Sequence, residues 1–247
     1  AYTTWIDGNG TLRQRLGELQ SGADNGVWAR MFGGKLGGDE FTNKYKTYQL
    51  GYDAQAGEWR VGAAYEYSDG SLNYTSGSGE NKIGAISLYG TLQGKDNSAL
   101  DIVVKRGRIY GDMDIYGKYS DQGDYSTDAT SIGVEYSKRF DGGNNVYFEP
   151  QAQLTFGRID GYDYVSAKGI RVAYDDINSL IGRLGIVGGK AFSRGDVYVK
   201  ASLLHEFSGD SSVTMLAANG ESYMEDQDYG DTWLEVGIGG NITLGKN

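Results

Sequence analysis

The feature that most constrains the fold of this 247-residue chain is a two-residue alternation of apolar and polar side chains. Successive residues of a β-strand point to opposite faces, so this period is typical of strands. In the clearest segment Trp59, Val61 and Tyr65 share one face, whereas Arg60 and Glu66 share the other. Ten segments show the pattern: 27–35, 44–53, 58–68, 82–92, 99–109, 129–140, 146–157, 179–192, 196–207 and 231–244. Their lengths are near the roughly 9–11 residues with which a tilted strand crosses a bilayer.

The connections between these segments alternate strictly between short and long. The short ones are rich in Gly, Asn and Asp, the residues that tight hairpin turns need for positive φ; they are 55–57, 94–97, 141–144 and 193–195. The long, polar ones are 35–43, 69–81, 110–128, 158–178 and 208–230. Outer-membrane barrels have short periplasmic turns and longer extracellular loops, whereas a β-sandwich has no reason to sort its connections by length. The sequence therefore predicts an all-β protein, an antiparallel transmembrane β-barrel of ten strands.

The composition narrows the function classes. A net charge of −10 argues against nucleic acid as a partner, because nucleic acid attracts basic surfaces. Average hydropathy is that of a soluble protein, but only every second residue of a membrane strand meets lipid, and the lumen is polar. The absence of Cys suits a chain that crosses an oxidising periplasm unfolded.

Aromatic residues are expected where the barrel meets the two membrane interfaces. Tyr and Trp rings prefer the boundary between headgroups and hydrocarbon, although Tyr is also a good strand former. The predicted girdle consists of Trp28, Tyr45, Tyr48, Tyr52, Trp59, Tyr65, Tyr67, Tyr89, Tyr136 and Phe156.

Residues 1–25 break the alternation. Leu12, Leu16 and Leu19 follow one another at helical spacing, with Arg13 and Arg15 between them. A helix this short is marginal in water alone, so it needs a surface to pack on, and the barrel lumen is the natural place. Strand parity directs charges of both signs into the lumen: Arg30, Arg60, Lys105 and Arg183, with Glu66, Glu135, Glu149 and Glu235. We expect Arg13 and Arg15 to pair with such carboxylates; the alternative, a solvated helix outside the barrel, stays open on the residues alone.

Several motifs, in order along nearly the whole chain, resemble the translocator domain of classical monomeric autotransporters, the proteins of type V secretion. The motifs are Leu12-Arg13-Gln14-Arg15-Leu16-Gly17-Glu18-Leu19, Gly26-Val27-Trp28-Ala29-Arg30, Glu149-Pro150-Gln151-Ala152-Gln153-Leu154, Ile181-Gly182-Arg183-Leu184-Gly185, Leu204-His205-Glu206-Phe207 and Trp233-Leu234-Glu235-Val236-Gly237. The resemblance implies that residues 1–25 are a linker helix in the lumen, joined to a secreted passenger. Residues 26–247 are then the translocator, which exports the passenger and anchors it at the surface of a Gram-negative cell.

The resemblance also sets expectations for partners and for the chain's departures from the family. It implies outer-membrane lipid, the attached passenger, the barrel-assembly machinery and periplasmic chaperones as partners, a monomer, and no cofactor or metal. Family barrels have twelve strands and end on an aromatic residue, so we expect either that the last two strands are missing here or that this barrel closes differently. The family's self-cleavage between two Asn residues is not carried over, because this segment contains Asn9-Gly10 instead.

Enzymatic barrels are the main alternatives. An outer-membrane protease needs an Asp–His pair to activate water, but Glu206 and the single His, His205, are strand neighbours that point to opposite faces. A barrel phospholipase needs Ser and His within hydrogen-bond reach, and parity separates Ser202 from His205 as well. We therefore predict that the chain is not an enzyme and that His205 faces lipid. A porin-like barrel stays open, although a porin has no need of an N-terminal helix.

Overall fold

A computed structural model of the chain describes residues 2–7, 26–37, 41–118, 120–193 and 195–242. Within these residues the protein is almost entirely β-structure, with one short helix, α1 (Tyr2–Asp7), and one 3-10 turn, Gly143–Asn145. No helix in these ranges is long and apolar enough to span a membrane. The helix predicted around Leu12, Arg13, Arg15, Leu16 and Leu19 lies outside the described residues.

Ten long strands form one antiparallel sheet, and each of the ten predicted segments overlaps one of them, so the predicted strands and their order are confirmed within the described residues. The strands are β1 (Gly26–Gly37), β2 (Phe41–Ala56), β3 (Trp59–Tyr74), β4 (Gly77–Gln93), β5 (Ser98–Ile115), β6 (Asp121–Lys138), β7 (Phe140–Asp141), β8 (Val146–Ile159), β9 (Tyr162–Val165), β10 (Arg171–Tyr174), β11 (Ile177–Phe192), β12 (Gly195–Glu206), β13 (Asp210–Leu216), β14 (Ser222–Asp228) and β15 (Thr232–Ile242). The order in the main sheet is β1-β2-β3-β4-β5-β6-β8-β11-β12-β15, and the two-residue β7 pairs with β8.

The main sheet curls strongly. Trp5 of α1 contacts Lys105 on β5, and Tyr2 of the same short helix bonds to Glu206 on β12, although β6, β8 and β11 separate these two strands in the sheet. The curl brings the two strands close enough for one short helix to contact both. The curl gives the sheet an inner face around a lumen and an outer face. In the described part of the chain, β1 and β15 are the two edges of this sheet and no ladder joins them.

The short connections are tight hairpin turns, as predicted. Gly57, Asn97, Asn144 and Asn145 have φ between 61° and 65°. Glycine and asparagine adopt this left-handed conformation at little energetic cost, which is why they form the turns at one end of the sheet.

The long connections differ from the prediction of polar loops. The strands of the hairpins β3–β4 and β5–β6 extend beyond the predicted segments, so the connections between them are only residues 75–76 and 116–120. The connections after β8 and β12 contain the hairpins β9–β10 and β13–β14, which form a second sheet in the order β14-β13-β10-β9. These segments are short and rich in polar residues, and they have few buried apolar residues, such as Val172 and Val213, so the alternation that revealed the membrane strands is weak in them. The long connections nevertheless all lie at the end of the barrel opposite to the tight turns.

The two faces of the main sheet differ in chemistry as parity predicts. The outer face exposes large apolar side chains, among them Leu50, Leu88 and Leu184. The adjacent Lys105 and Arg106 follow the same rule, because Lys105 is buried on the inner face whereas Arg106 is exposed on the outer one. The β4–β5 register is continuous through both residues.

The predicted aromatic girdle is wrong at three of its ten positions. Trp28, Tyr45 and Tyr89 point into the lumen, because they share the parity of the inner-face charges. Each lies over a glycine of the neighbouring strand, where a Cβ would come within 2.4–2.7 Å of the ring: Gly51, Gly34 and Gly62, respectively. The aromatic ring thus covers the backbone that the glycine leaves bare. The other seven girdle residues lie on the outer face.

Adding a side chain at Gly62 should destabilise the barrel. A Cβ there would lie 2.4 Å from the Tyr89 ring and 2.7 Å from the Tyr52 carbonyl oxygen. We expect Gly62→Ala to lower the free energy of unfolding by about 1–3 kcal/mol, the usual cost of overpacking. Urea unfolding of the refolded barrel in detergent micelles measures this. Gly188→Ala is the matched control, because nothing lies within 4 Å of a Cβ at that strand position. An equal loss in both variants would contradict the account.

Candidate functional site

The inner face of the curled sheet is the candidate functional site, because it combines buried charge with the N-terminal segment. The structure places all eight of the predicted lumen charges on this face. Glu66, Lys105, Glu135, Glu149 and Arg183 are buried there, and Arg30, Arg60 and Glu235 are half-buried.

One buried ion pair crosses β4. The Nζ atom of Lys105 on β5 donates to Oε1 of Glu66 on β3 at 2.7 Å, and both side chains are 3% exposed. Gln49 donates from Nε2 to the other oxygen of Glu66, also at 2.7 Å. Ser87, the residue of β4 directly opposite Lys105, is small enough to let the pair form over it. Because burial removes water from both charges, each ion depends on the other.

A second buried pair crosses β8. Arg183 on β11 donates from Nη2 to Oε2 of Glu135 on β6 at 2.6 Å. Its remaining donors reach the Gln153 Oε1 atom at 2.7 Å, the Gln151 Oε1 atom at 3.1 Å and the Ser202 Oγ atom at 3.2 Å. The planar guanidinium therefore binds acceptors on three other strands, β6, β8 and β12, and fixes the curvature of the barrel wall between them.

The other predicted charges also have partners on the wall. Arg60 pairs with Asp53 at 3.1 Å, and Asp53 accepts a hydrogen bond from Tyr89 at 2.9 Å. Glu235 pairs with Lys200, and Arg30 lies over the ring of Phe32. Glu149 accepts a hydrogen bond from Gln151 at 3.0 Å. The pairs of Arg60 and Glu235 thus link neighbouring strands, whereas these contacts of Arg30 and Glu149 lie within their own strands.

Helix α1 lies inside the lumen, a placement that the sequence reasoning missed. Trp5 is 1% exposed, and it packs with Tyr2 against apolar residues of the inner face. These wall residues are Ile83, Ala85, Ile109, Ala129, Ile159 and Ile177. The sequence feature that could have predicted this helix is the spacing of Tyr2 and Trp5, because residues three positions apart lie on the same face of a helix.

Tyr2 is held by Glu206, which the sequence reasoning weighed only as a partner of His205. The Tyr2 hydroxyl donates to Oε2 of Glu206 at 2.5 Å. Glu206 is 1% exposed and also accepts hydrogen bonds from the Leu180 N–H at 2.6 Å, the Ser208 N–H at 3.1 Å and the Ser179 hydroxyl. A buried carboxylate is stable only when its oxygens accept hydrogen bonds. These donors therefore hold the Glu206 carboxylate in position to accept the hydrogen bond from the Tyr2 hydroxyl.

Two further contacts fix α1. The Tyr2 ring stacks on Tyr229, in the connection between β14 and β15, with centroids 4.5 Å apart. Burial raises the pKa of Tyr229 to about 12, so its phenol is neutral at physiological pH. The ammonium group of Lys105 lies 4.5 Å from the centroid of the Trp5 ring, a cation–π contact. Lys105 therefore contacts both the inner face of the sheet, through Glu66, and the helix, through Trp5.

A tyrosine stack joins the small sheet to the barrel. The ring of Tyr162 lies 4.4 Å from that of Tyr125 on β6 and 4.8 Å from that of Tyr174 on β10. Tyr164 lies farther from Tyr125, at 6.5 Å. Burial raises the pKa of Tyr164 to about 12. These aromatic contacts hold the β9–β10 hairpin against the long-connection end of the barrel.

The inner face also borders a cavity of about 190 Å³ beside α1. Its lining includes Ile6 of α1, Tyr45 of β2, Arg183 of β11 and Trp233 and Glu235 of β15. The lumen is thus only partly filled by α1.

The residues weighed for catalysis are not brought together. His205 is exposed on the outer face, where its Nδ1 atom lies 2.7 Å from the Thr232 hydroxyl and its ring packs edge-on against Phe207. Glu206 and Ser202 are buried on the inner face, on the opposite side of the strand. Among the described residues there is no group of three or more His, Cys, Asp or Glu that could hold a metal ion.

Comparisons with known proteins agree on one family. A family model described as "Autotransporter beta-domain" matches residues 27–247. The pertactin autotransporter of Bordetella parapertussis is 30% identical over 264 residues, which cover 100% of this chain and 28% of that protein. The serine protease sat autotransporter of Escherichia coli is 25% identical over 98% of this chain and 20% of that protein. The chain therefore spans about a quarter of the length of the curated relatives it matches.

Solved structures show the same fold. The β-domain of the Bordetella autotransporter BrkA has a TM-score of 0.66 and 24% identity, covering 87% of this chain and 96% of that one. The translocator domain of autotransporter NalP from Neisseria meningitidis has a TM-score of 0.65 and 13% identity, covering 97% and 96%. At these identities the likeness shows the barrel fold, which confirms the predicted fold class.

Removing one partner of the buried Glu66–Lys105 pair should cost far more than removing both. Glu66→Gln leaves the Lys105 ammonium buried without its counter-ion, and we expect a loss of about 3–5 kcal/mol in unfolding free energy. Glu66→Gln combined with Lys105→Met should recover most of that loss. Urea unfolding of the four members of the cycle measures the coupling.

The exposed outer-face pair of Arg108 and Asp128 is the control for this cycle, with a distance of 2.8 Å between its charged groups. Solvent screens this pair, so Arg108→Gln should change the unfolding free energy by less than about 1 kcal/mol. Purely additive effects at Glu66 and Lys105 would show that the two buried charges are not coupled.

Proposed function

Because the chain belongs to the autotransporter β-domain family, we propose that residues 26–247 are the outer-membrane translocator of a passenger attached on the N-terminal side. Residues 1–25 then form the linker, which occupies the pore after export. The translocator exports the passenger and keeps it anchored at the surface of a Gram-negative cell. The observation that carries this proposal is the docking of α1 inside the lumen, with Trp5 buried against the wall.

The positions of the described ends of the linker support a path through the barrel. Tyr2 contacts Tyr229, at the end of the barrel with the long connections. Gly26 pairs with Asp53, next to the tight turn at Gly57. The shortest path for a segment that joins Tyr2 at one end of the barrel to Gly26 at the other runs through the lumen. If the tight turns are periplasmic and the long hairpins extracellular, the N-terminal end of the linker emerges at the cell surface, where a passenger would be.

We assign the retention of the linker mainly to aromatic contacts. The expected partners of Arg13 and Arg15 were lumen carboxylates, and those arginines lie outside the described residues. Glu66, Glu135 and Glu235 each have a basic partner on the wall already. The Tyr2–Glu206 hydrogen bond and the Trp5–Lys105 contact join the linker to the wall directly. Pairing of Arg13 or Arg15 with wall carboxylates would add to these contacts.

The bilayer sets a further requirement for assembly. An unpaired strand edge in hydrocarbon costs several kcal/mol for each unsatisfied backbone group. The edges β1 and β15 must therefore pair, with each other or with further strands, before the domain is stable in lipid. We propose that the barrel-assembly machinery and periplasmic chaperones assist this step and that the closed domain is a monomer. Its function needs no cofactor, metal or catalytic group, because export depends on a lined pore.

Single-channel conductance in planar bilayers tests the proposal. The full chain should show low conductance, because the linker fills much of the pore. Deletion of residues 1–25 should raise the conductance several-fold. In the full chain Trp5→Ala should give intermittent openings, because it removes the largest contact between α1 and the wall.

The control for this experiment is the heat-dependent gel mobility of each variant, which shows that the barrel is folded. Equal and steady conductance of the full chain and the deletion variant would contradict the plugged pore and favour a porin-like barrel.

A further inference from the structure

Three lysines form a cluster on the outer face, at the end of the barrel with the long connections. Lys35 lies on β1, and Lys44 and Lys46 lie on β2. Lys35 and Lys44 are direct cross-strand partners. Lys46 follows Lys44 by two residues and so shares its face. All three side chains are exposed, and Lys35, on the edge strand, also borders the lumen cavity.

Among the residues that the structure describes, no acidic group neutralises the charge of this lysine cluster. Like charges directly opposite each other on neighbouring strands destabilise a sheet. Within the described ranges, no acidic group lies within 4 Å of any of the three ammonium groups. Asp69 is the cross-strand neighbour of Lys46 on β3, yet it makes no ion pair with it. In a chain with a net charge of −10, three cations thus lie together without an acidic partner among the described residues.

Other cations of the outer face are arranged differently. Arg106 and Arg108 both pair with Asp128, at 3.5 and 2.8 Å. Lys82 lies 3.7 Å from Glu80. The lysine cluster is therefore distinct from its surroundings in having charge available for an external anion.

The surface directly below the lysine cluster is apolar and faces lipid. On the same face of β1 and β2, towards the tight turns, follow Met31, which is 70% exposed, and Leu50, which is 56% exposed, with Tyr48 between Lys46 and Leu50. A ligand that fits both parts of this surface has an anionic head and long apolar chains. The cations lie where the apolar band ends, which is the level of the lipid headgroups.

We propose that Lys35, Lys44 and Lys46 bind the phosphate groups of a phosphorylated lipid in the outer leaflet, whose acyl chains lie along Met31, Tyr48 and Leu50. Ammonium groups are point charges that bind phosphate without demanding one geometry. The site would hold this flank of the barrel, beside the β1 edge, at a fixed depth in the leaflet. The proposal needs the orientation of the barrel in the membrane but not the plugging of its pore by the linker.

Native mass spectrometry of the folded full chain, released from micelles at low ionic strength, tests the proposal. The probe is lipid A carrying two phosphates, compared with the same lipid after removal of both phosphates. The site variant is Lys35→Gln, Lys44→Gln and Lys46→Gln together, and the matched control is Arg106→Gln with Arg108→Gln. A lysine near an anionic lipid surface contributes about a fivefold change in binding, so the site variant should bind the phosphorylated lipid on the order of 100-fold more weakly.

The expected pattern is specific in three ways. The paired-arginine control should bind within about threefold of the native chain, because Asp128 already neutralises those arginines. The dephosphorylated lipid should bind the native chain and the site variant alike. Inorganic phosphate at the same concentration should not displace the phosphorylated lipid, because it lacks the acyl chains that contact the apolar surface.

Three outcomes would overturn the proposal: equal loss in the paired-arginine control, equal binding of both lipids by the native chain, or displacement by inorganic phosphate. The conductance of a variant with only Lys44→Gln and Lys46→Gln separates this result from the pore account. It should equal that of the native full chain, since both lysines lie on the outer face and neither lines the lumen cavity.

Discussion

The structure depends above all on backbone hydrogen bonding in a solvent that offers no partners. Hydrocarbon cannot satisfy a free N–H or C=O group, so a strand that crosses it must be paired along its length. A sheet that meets this demand must also curl, because a curled sheet turns one face away from lipid. The period of two then divides every strand into a lipid-facing and a lumen-facing half. The apolar outer face, the polar inner face and the tight turns all follow from this constraint.

The lumen-facing half of the strands buries charged side chains, which is unfavourable unless they are paired. Two ion pairs meet this need, and each reaches over one intervening strand: Glu66 with Lys105 across β4, and Glu135 with Arg183 across β8. Such pairs link strands that share no ladder and so stiffen the curl. They also leave the linker to be held by a different kind of contact. The phenol of Tyr2 and the indole of Trp5 combine large apolar area with one directed polar interaction, which suits a lumen that is apolar at one level and charged at the next.

The sequence predicts the membrane strands well because lipid imposes a strict pattern on them. The β9–β10 and β13–β14 hairpins could not be predicted in this way, because they are short and polar and have few buried apolar residues, such as Val172 and Val213. Trp28, Tyr45 and Tyr89 were assigned to the girdle by residue type, although their parity with Arg30 and other inner-face residues already indicated the lumen. The contacts of Tyr2 with Glu206 and Tyr229 could not be predicted, because they join positions about 200 residues apart that only the curl of the sheet brings together.

The central claim, that one face of each strand meets lipid and the other lines the lumen, can be measured directly. The sequence contains no Cys, so single cysteines can be placed along β6 at Ser131, Ile132, Val134 and Glu135 and labelled with a small fluorophore before refolding into bilayers. Lipids brominated on their acyl chains quench only fluorophores that touch hydrocarbon. The account predicts strong quenching at Ile132 and Val134 and weak quenching at Ser131 and Glu135. Similar quenching at all four positions would contradict a sheet with separate lipid and lumen faces.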